Sequence, residues 1–555
     1  NWHPSSLLMR MWPHVVAWSL AAALMAVAGS VQAQPSATER AWIFLDERPA
    51  PPARRSAETG TPAAQHRRAT RGQPSADALT RPVAPRYVAA LRAIGVIPVV
   101  RSRWLHAVSA PLTSRQRAAV SALPFVRRIQ PVHAHSVPAR SLAPPSPAAD
   151  SADYGRSHDQ LAFMNAIAPI ERGLTGAGVR IGFLDTGFRD LQHPAFLHLR
   201  RDNRLLGLRD FTEGPQTNNH GAGVVSATAG YAPGTLIGPA HEAEVLAAST
   251  EYTPSERNVE EDYFVAGLEW LERQGVDLVN VSLGYTTFDE GQRSYTTDDL
   301  DGDTGVTTRA VDAAARLGVV VVVSAGNSGC DAPSNCWFRV STPADADSAI
   351  TVGAVARDST LLPFSSRGPT ADGRIKPDVV ALGRGVTAAW GPEGVAPVSG
   401  TSFAAPLVTG VVAQMLQMNP ALGPIDVRTI LRQTASQAGA PDTTRGWGVV
   451  NADAAVRAAE RRARQTPPRS TLLRPPAPNP AQSQTTLTLR APASAERATL
   501  ALFDLLGRRV LTRTVPLRPG PNSVTLSVRS LPPGMYLYRV RTADRLATGK
   551  LAVVR

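Results

Sequence analysis

Three short, widely separated motifs hold the residue types that a nucleophilic hydrolysis needs. Asp185-Thr186-Gly187 follows an apolar stretch, and His220-Gly221-Ala222-Gly223 opens a run of small residues reaching Ala229. Gly400-Thr401-Ser402-Phe403-Ala404-Ala405-Pro406 opens a long apolar run through Met418. A serine hydroxyl becomes a strong nucleophile when a base takes its proton. Histidine is such a base when a buried carboxylate fixes its tautomer and stabilises the imidazolium. A serine at a helix N-terminus also has free backbone N–H groups and a positive dipole end beside it, which suits a forming oxyanion. Ser324-Ala325-Gly326-Asn327 follows a further apolar run, where Asn327 can aim its amide at the same oxygen. Each motif alone also reads as ordinary structure: a turn aspartate, a structural histidine, a helix cap. Together they describe one reaction.

The elements that would position these groups alternate along the central segment. Apolar runs at 179–184, 244–248, 278–281 and 319–323 read as strands, with helical patterns between them at 259–273 and 306–317. Apolar strands separated by helices predict an α/β fold, a parallel sheet covered by helices on both faces. Reactive groups in such folds sit at the carboxyl ends of the strands. Before this segment, short strands at 41–46, 96–101, 105–109 and 125–130 flank helices at 86–94 and 114–121. That order is the split βαβ pattern of small ferredoxin-like α+β domains. From residue 484 onward the pattern changes to period two with Pro/Gly turns, which predicts a small antiparallel β-sandwich. The Pro/Ala/Ser/Arg-rich stretches 47–84, 136–150 and 464–484 read as loop, connection and linker.

The order Asp, His, Asn, Ser, with the motifs around each, resembles the subtilisin-like serine proteases (subtilases, peptidase S8) over residues 154–460. Asn280-Val281-Ser282-Leu283-Gly284, Phe364-Ser365-Ser366-Arg367-Gly368-Pro369 and Lys376-Pro377-Asp378 add to the resemblance. It implies a secreted serine endopeptidase with Ser402 as nucleophile, His220 as general base and acid, and Asp185 as its orienter. Asn327 would share the oxyanion hole with the Ser402 backbone N–H. Ser282, Leu283 and Gly284 would pair with extended protein or peptide substrates, and Ser324, Ala325 and Gly326 would line the pocket for the side chain before the cut. Ala222 and Leu407 depart from the family pattern, but neither is a member of the triad. The rival class is a non-catalytic adhesin or binding protein on a relic of the same fold. No cofactor is required. Calcium is common in the family, and Asp298-Asp299-Leu300-Asp301-Gly302-Asp303 is acidic, but it reads first as a solvated loop or a cap for the following helix, and no metal ligands are assigned.

The flanks imply an exported precursor. Residues 1–33, with Arg10 before an apolar run of about 14 residues and Val31-Gln32-Ala33 at the cut, have the layout of a signal peptide. Residues 34–136, folded over about 41–134, resemble a protease propeptide that inhibits its own enzyme, and 137–152 would be the processing linker. The catalytic domain is assigned to 153–462, a linker to 463–483 and the last domain to 484–555. Pro478-Asn479-Pro480, Leu502-Phe503-Asp504-Leu505-Leu506-Gly507-Arg508-Arg509-Val510 and Pro533-Gly534-Met535-Tyr536 resemble the C-terminal sorting domain of type IX secretion, which implies the secretion machinery as a partner; the alternative is a carbohydrate-binding or adhesive sandwich. These features point to a secreted or surface protein exported through the periplasm of a Gram-negative-type bacterium, with no transmembrane anchor in its mature form. In that compartment Cys330 and Cys336, the only cysteines, are expected to form a local disulfide rather than two free thiols.

The formal charge of +13 would suggest nucleic-acid binding if it were spread evenly. It is not. Residues 34–150 hold 17 basic and 6 acidic side chains and residues 467–555 hold 14 and 3, whereas 151–466 hold 26 and 36. The working domain is acidic, so no nucleic-acid role follows. An Arg-rich propeptide would instead dock on an acidic enzyme.

Overall fold

The computed structural model describes residues 38–46, 60–73, 79, 81–131, 153–214, 218–252, 257, 259–286, 294–330, 337–465, 472–473, 476–491, 497–505, 507–518, 520–541 and 546–555. The expected signal peptide and processing linker lie outside these residues.

The N-terminal unit contains β1 (Glu39–Leu45), β2 (Val100–Ser102), β3 (Ala107–Leu112) and β4 (Val126–Pro131), with α1 (Pro62–Thr70), α2 (Pro85–Ala93) and α3 (Ser114–Ser121). The sheet order β2-β3-β1-β4, antiparallel throughout, is the ferredoxin-like arrangement. Alternation along β1 gives the strand two buried faces. Ala41, Ile43 and Leu45 pack with Val88 and Leu91 of the unit's own core. Trp42 and Phe44 point the other way, into a core shared with Phe264 and Leu268 of the central domain. The stretch 47–84, expected to be loop, contains helix α1. Pro62 at the first turn and the Thr61 side chain capping Ala64 start it. Its sequence PAAQHRRAT carries no apolar stripe because what it buries, besides Ala64, is arginine.

The central domain is built on a seven-stranded sheet of β5 (Arg180–Asp185), β6 (Leu205–Asp210), β7 (Glu244–Ser249), β8 (Leu278–Val281), β9 (Val320–Ser324), β10 (Ile350–Val355) and β11 (Val379–Leu382). The order is β11-β10-β9-β8-β5-β7-β6 and every pairing is parallel. Helices α4 (His220–Ala229) and α7 (Thr401–Met418) cover one face, and α5 (Val259–Gln274) and α6 (Val306–Arg316) the other. The inner strands are buried on both sides, which is why they read as unbroken apolar runs. Among the described residues no helix is long and apolar enough to cross a membrane.

The C-terminal unit is two antiparallel sheets. Leu472–Leu473, Gln484–Ala491 and Gly520–Ser527 form one, and Arg497–Phe503, Arg509–Pro516, Gly534–Arg541 and Leu546–Val553 the other. Leu487, Leu500, Leu502, Tyr538 and Val540 fill the space between them. The sandwich begins earlier than expected: Ala477 pairs with Thr486, and Ala481, fully buried, pairs with Val553. Residues 476–483 are thus part of the fold and not linker.

Candidate active site

Asp185 is the last residue of β5, and His220 is the first of α4. The two side chains meet through a 2.6 Å hydrogen bond between His220 Nδ1 and Asp185 Oδ1. Asp185 is fully buried, and its Oδ1 also accepts from the Thr186 backbone N–H at 2.7 Å. The approach of α4 to the strand end requires glycine at 221. A Cβ there would stand 2.6 Å from the Gly187 carbonyl oxygen and 2.9 Å from Asp185 Cβ. Burial works to lower the His220 pKa, but the charge of Asp185 and its hydrogen bond outweigh that and raise it above the ordinary histidine value. Among the described residues His220 Nε2 is buried with no hydrogen-bond partner, and the ring packs edge-on against Phe403 at 5.1 Å between centroids.

Ser402, 8 % exposed, is the second residue of α7. Its hydroxyl donates to the Ser282 carbonyl at 3.4 Å. The helix around it is modified by Pro406. That residue has no N–H to give to the carbonyl four positions back, so the Ser402 carbonyl lacks its helical donor. Ser282 Oγ supplies one at 2.8 Å. Ser282 Oγ in turn accepts from Asn280 Nδ2 at 2.9 Å, and Asn280 Oδ1 accepts from Thr409 Oγ1 at 2.8 Å. A chain of buried polar groups therefore ties the start of α7 to the end of β8. Asn327 is held from its other end: its Oδ1 accepts from the Thr401 backbone N–H and from Thr401 Oγ1, both at 2.9 Å.

Strands β8 and β9 are neighbours in the sheet, so the segments that follow them lie side by side. Ser282 and Leu283 are buried and Gly284 half-buried. Among the described residues the backbone groups of Leu283 and Gly284 carry no hydrogen bond, while Tyr285 pairs with Thr342 in both directions. Ser324 and Ala325 are buried, Gly326 is half-buried, and the Gly326 N–H donates to Thr401 Oγ1. The sequence-derived site residues thus converge on the carboxyl edge of the sheet. Asn280, Thr401 and Thr409 were not singled out as site residues. The signal was present for Asn280, a polar residue inside the apolar run Leu278-Val279-Asn280-Val281.

Two further expectations are modified. Asp301 accepts from the Asp303 and Thr304 backbone N–H groups at 2.8 and 2.7 Å, and Asp299 caps Thr296. The acidic run thus closes its own turns; helix α6 begins at Gly305 as N-cap, not at Asp303-Thr304. Among the described residues no group of three or more His, Cys, Asp or Glu side chains is arranged to hold a metal. Cys330 is disulfide-bonded, and Cys336 lies outside the described residues.

Residues 176–448 match the model of the subtilase family, peptidase S8. Residues 40–146 match the peptidase S8 propeptide domain of Bacteroidota, and residues 477–554 the secretion system C-terminal sorting domain. Serine protease AprX of Bacillus subtilis is 30% identical over 312 residues, covering 51% of this chain and 67% of that protein. Subtilisin Savinase of Lederbergia lenta is 31% identical over 314 residues, covering 56% of this chain and all of that protein. Alkaline elastase YaB of a Bacillus species is 32% identical over 306 residues, covering 52% and 68%.

Proposed function

The chain belongs to the subtilase family and is a subtilisin-like serine endopeptidase with a propeptide domain and a sorting domain that marks it for secretion or the cell surface; from that premise we propose that Ser402, His220 and Asp185 are its catalytic triad and that it matures by cutting itself. The observation that carries the reading is the 2.6 Å bond from His220 Nδ1 to Asp185, with an Nε2 that has no hydrogen-bond partner among the described residues. Asp185 holds the imidazole in the tautomer whose Nε2 can accept a proton. For the reaction the Ser402 hydroxyl would turn from the Ser282 carbonyl, to which it now donates, toward that nitrogen; apo sites often tighten only with substrate present.

Attack of Ser402 Oγ on a peptide carbonyl then gives a tetrahedral oxyanion, stabilised by the Ser402 backbone N–H and the Asn327 amide. His220 passes the proton to the leaving amine, and the acyl-enzyme is cleared by water that His220 deprotonates. The unbonded backbone of Leu283 and Gly284 suits an added substrate strand. Ser324, Ala325 and Gly326 form the wall beside the side chain preceding the cut. These steps use only protein groups and water, so no cofactor is invoked. Cleavage between residues 134 and 153 would separate the propeptide, and the C-terminal sandwich would engage the secretion machinery. Matured protein should be labelled by a fluorophosphonate at Ser402, and Ser402→Ala should abolish both the label and peptide hydrolysis. A label that survives the substitution, or a wild-type protein that takes none, would refute the assignment.

A further inference from the structure

Asp185 and His220 meet at one point. Asp185 Oδ1 takes the bond from His220 Nδ1 and accepts from the Thr186 backbone N–H, while Asp185 Oδ2 has no hydrogen-bond partner among the described residues. A single bond sets a distance but leaves the imidazole free to pivot about it. The edge contact with Phe403 supplies no directional bond. The aim of the ring must therefore come from the backbone that carries it, and His220 is the first residue of α4.

The residue before it, Asn219, is the N-cap of that helix. Asparagine is among the residues that most readily close a helix start with their own side chain. Asn219 does not do so. The His220 N–H is taken instead by Asn218 Oδ1 at 2.8 Å. The Asn219 side chain turns away from the helix to Asp190, where its Oδ1 accepts from the backbone N–H at 2.9 Å and its Nδ2 donates to Oδ2. Two bonds to one residue define an angle as well as a distance. Asp190 is a fixed post for this clamp. It lies between Phe188 and Leu191, both buried in the core that also holds Ala222 and Val224 of α4. Its carbonyl accepts from the His193 N–H at 2.9 Å. The nearby cation, Arg189, is 3.6 Å from the carboxylate with a largely exposed side chain, a contact worth little. The loop leaving Asp185 and the residue preceding His220 are thus joined twice, once through the reacting side chains and once through Asp190 and Asn219.

We propose that Asn219 and Asp190 are positioning residues for the reaction: their clamp fixes the start of α4 against the exit of β5, so that His220 keeps Nδ1 on Asp185 and Nε2 turned to Ser402 as the ring gains and loses its proton. The inference rests on the reading of Ser402, His220 and Asp185 as the triad. The clamp acts through His220 and needs no contact with substrate, so it belongs to kcat and not to KM. Without it the ring pivots on its one remaining bond and loses both its aim and part of its support from Asp185. A misplacement of about 1 Å in a reacting group can cost ~10²-fold in rate.

The test uses matured protein from the full chain, with peptide hydrolysis and fluorophosphonate labelling followed across pH. Asn219→Ala should lower kcat at least tenfold with KM little changed. The charge and hydrogen bond of Asp185 are what raise the His220 pKa against its burial, so the acid limb of kcat/KM should also move to lower pH. A merely structural role would lower the melting temperature and leave that limb in place. The second arm is an exchange. Asn219→Asp alone sets two carboxylates face to face and should slow kcat as Asn219→Ala does, although aspartate caps a helix as well as asparagine. Asn219→Asp combined with Asp190→Asn reverses donor and acceptor, rebuilds both bonds and should restore kcat. If Asn219→Ala does not mature, this pair against Asn219→Asp decides. An acid limb that stays in place in Asn219→Ala, or an exchange pair no faster than Asn219→Asp, would overturn the proposal. A wild-type protein that takes no label at Ser402 would instead sink the triad reading and this inference with it.

Discussion

Asp262 is expected to make the hold of the N-terminal propeptide domain on the central domain a function of pH. Its carboxyl group lies on α5, fully buried beneath the N-terminal unit, 3.4 Å from Arg40 and accepting from Ser109 Oγ. Burial pushes its pKa up from 3.8 to about 7, against the opposing pull of Arg40 and the Ser109 hydroxyl. Both partners leave with the propeptide, so in free enzyme Asp262 returns to an ordinary exposed carboxyl. The docked state therefore has the higher pKa and docking takes up a proton. Its contribution is complete below about pH 4, weakens close to tenfold per pH unit up to about pH 7, and is level beyond. Three pH units at ~1.4 kcal/mol each give a ceiling of ~4 kcal/mol. Glu269, also raised by burial, acts in the same direction. Glu272 is held below its ordinary value of 4.5 by its arginines despite burial, so its effect is lost only as pH falls below that value, outside this window.

The perturbation is Asp262→Asn, which keeps the shape and removes the titration. Linker-cut protein, isolated with its propeptide bound, would be diluted at pH 5, 6, 7 and 8 and the dissociated fraction read by gel filtration. Wild-type dissociation should rise steeply between pH 5 and 7 and then flatten. Asp262→Asn should lose most of that slope and hold its propeptide more tightly at pH 8. A wild-type profile flat between pH 5 and 7, or an equal slope in the variant, would refute the reasoning.

Two other outcomes concern the chemistry itself. Asn327→Leu removes one oxyanion donor and should lower kcat by ~10²–10³, or roughly 3–4 kcal/mol, with KM little changed; steady-state kinetics on a peptide anilide would decide, and an effect confined to KM would contradict the role. Asp185→Asn leaves burial alone acting on His220, so the acid limb of kcat/KM should move to lower pH as the rate falls by ~10⁴. An acid limb that stays in place would show that Asp185 does not set the state of that imidazole.

What the sequence disclosed and what it concealed differ by the range over which each residue finds its partner. Leu278–Val281 and Ser114–Ser121 end where their local patterns end, because apolar runs and a Thr113 capping box are local instructions. Asp185, His220, Asn327 and Ser402 could be proposed from the sequence because one reaction demands their types, whatever surrounds them. Helix α1 was not, since Arg67 and Arg71 are satisfied by carbonyls and carboxylates some 200 to 250 positions away, and arginine in a Pro/Ala-rich stretch reads as solvated chain. Residues 476–483 were hidden for the same reason: prolines suggest a linker, while the pairing of Ala481 with Val553 is invisible locally. The charge count occupied the middle ground. It separated a basic flank from an acidic core and so anticipated attraction, but a sum over side chains has no geometry. Only the fold places Asp262, Glu269, Glu272 and Asp277 along α5 and its exit, opposite Arg40, Arg103, Arg67, Arg68 and Arg71. Those groups are desolvated, so salt screens them far less than surface pairs. Leaving either side without the other exposes a like-charged patch, and that dependence turns a compositional asymmetry into a specific fit between the two units.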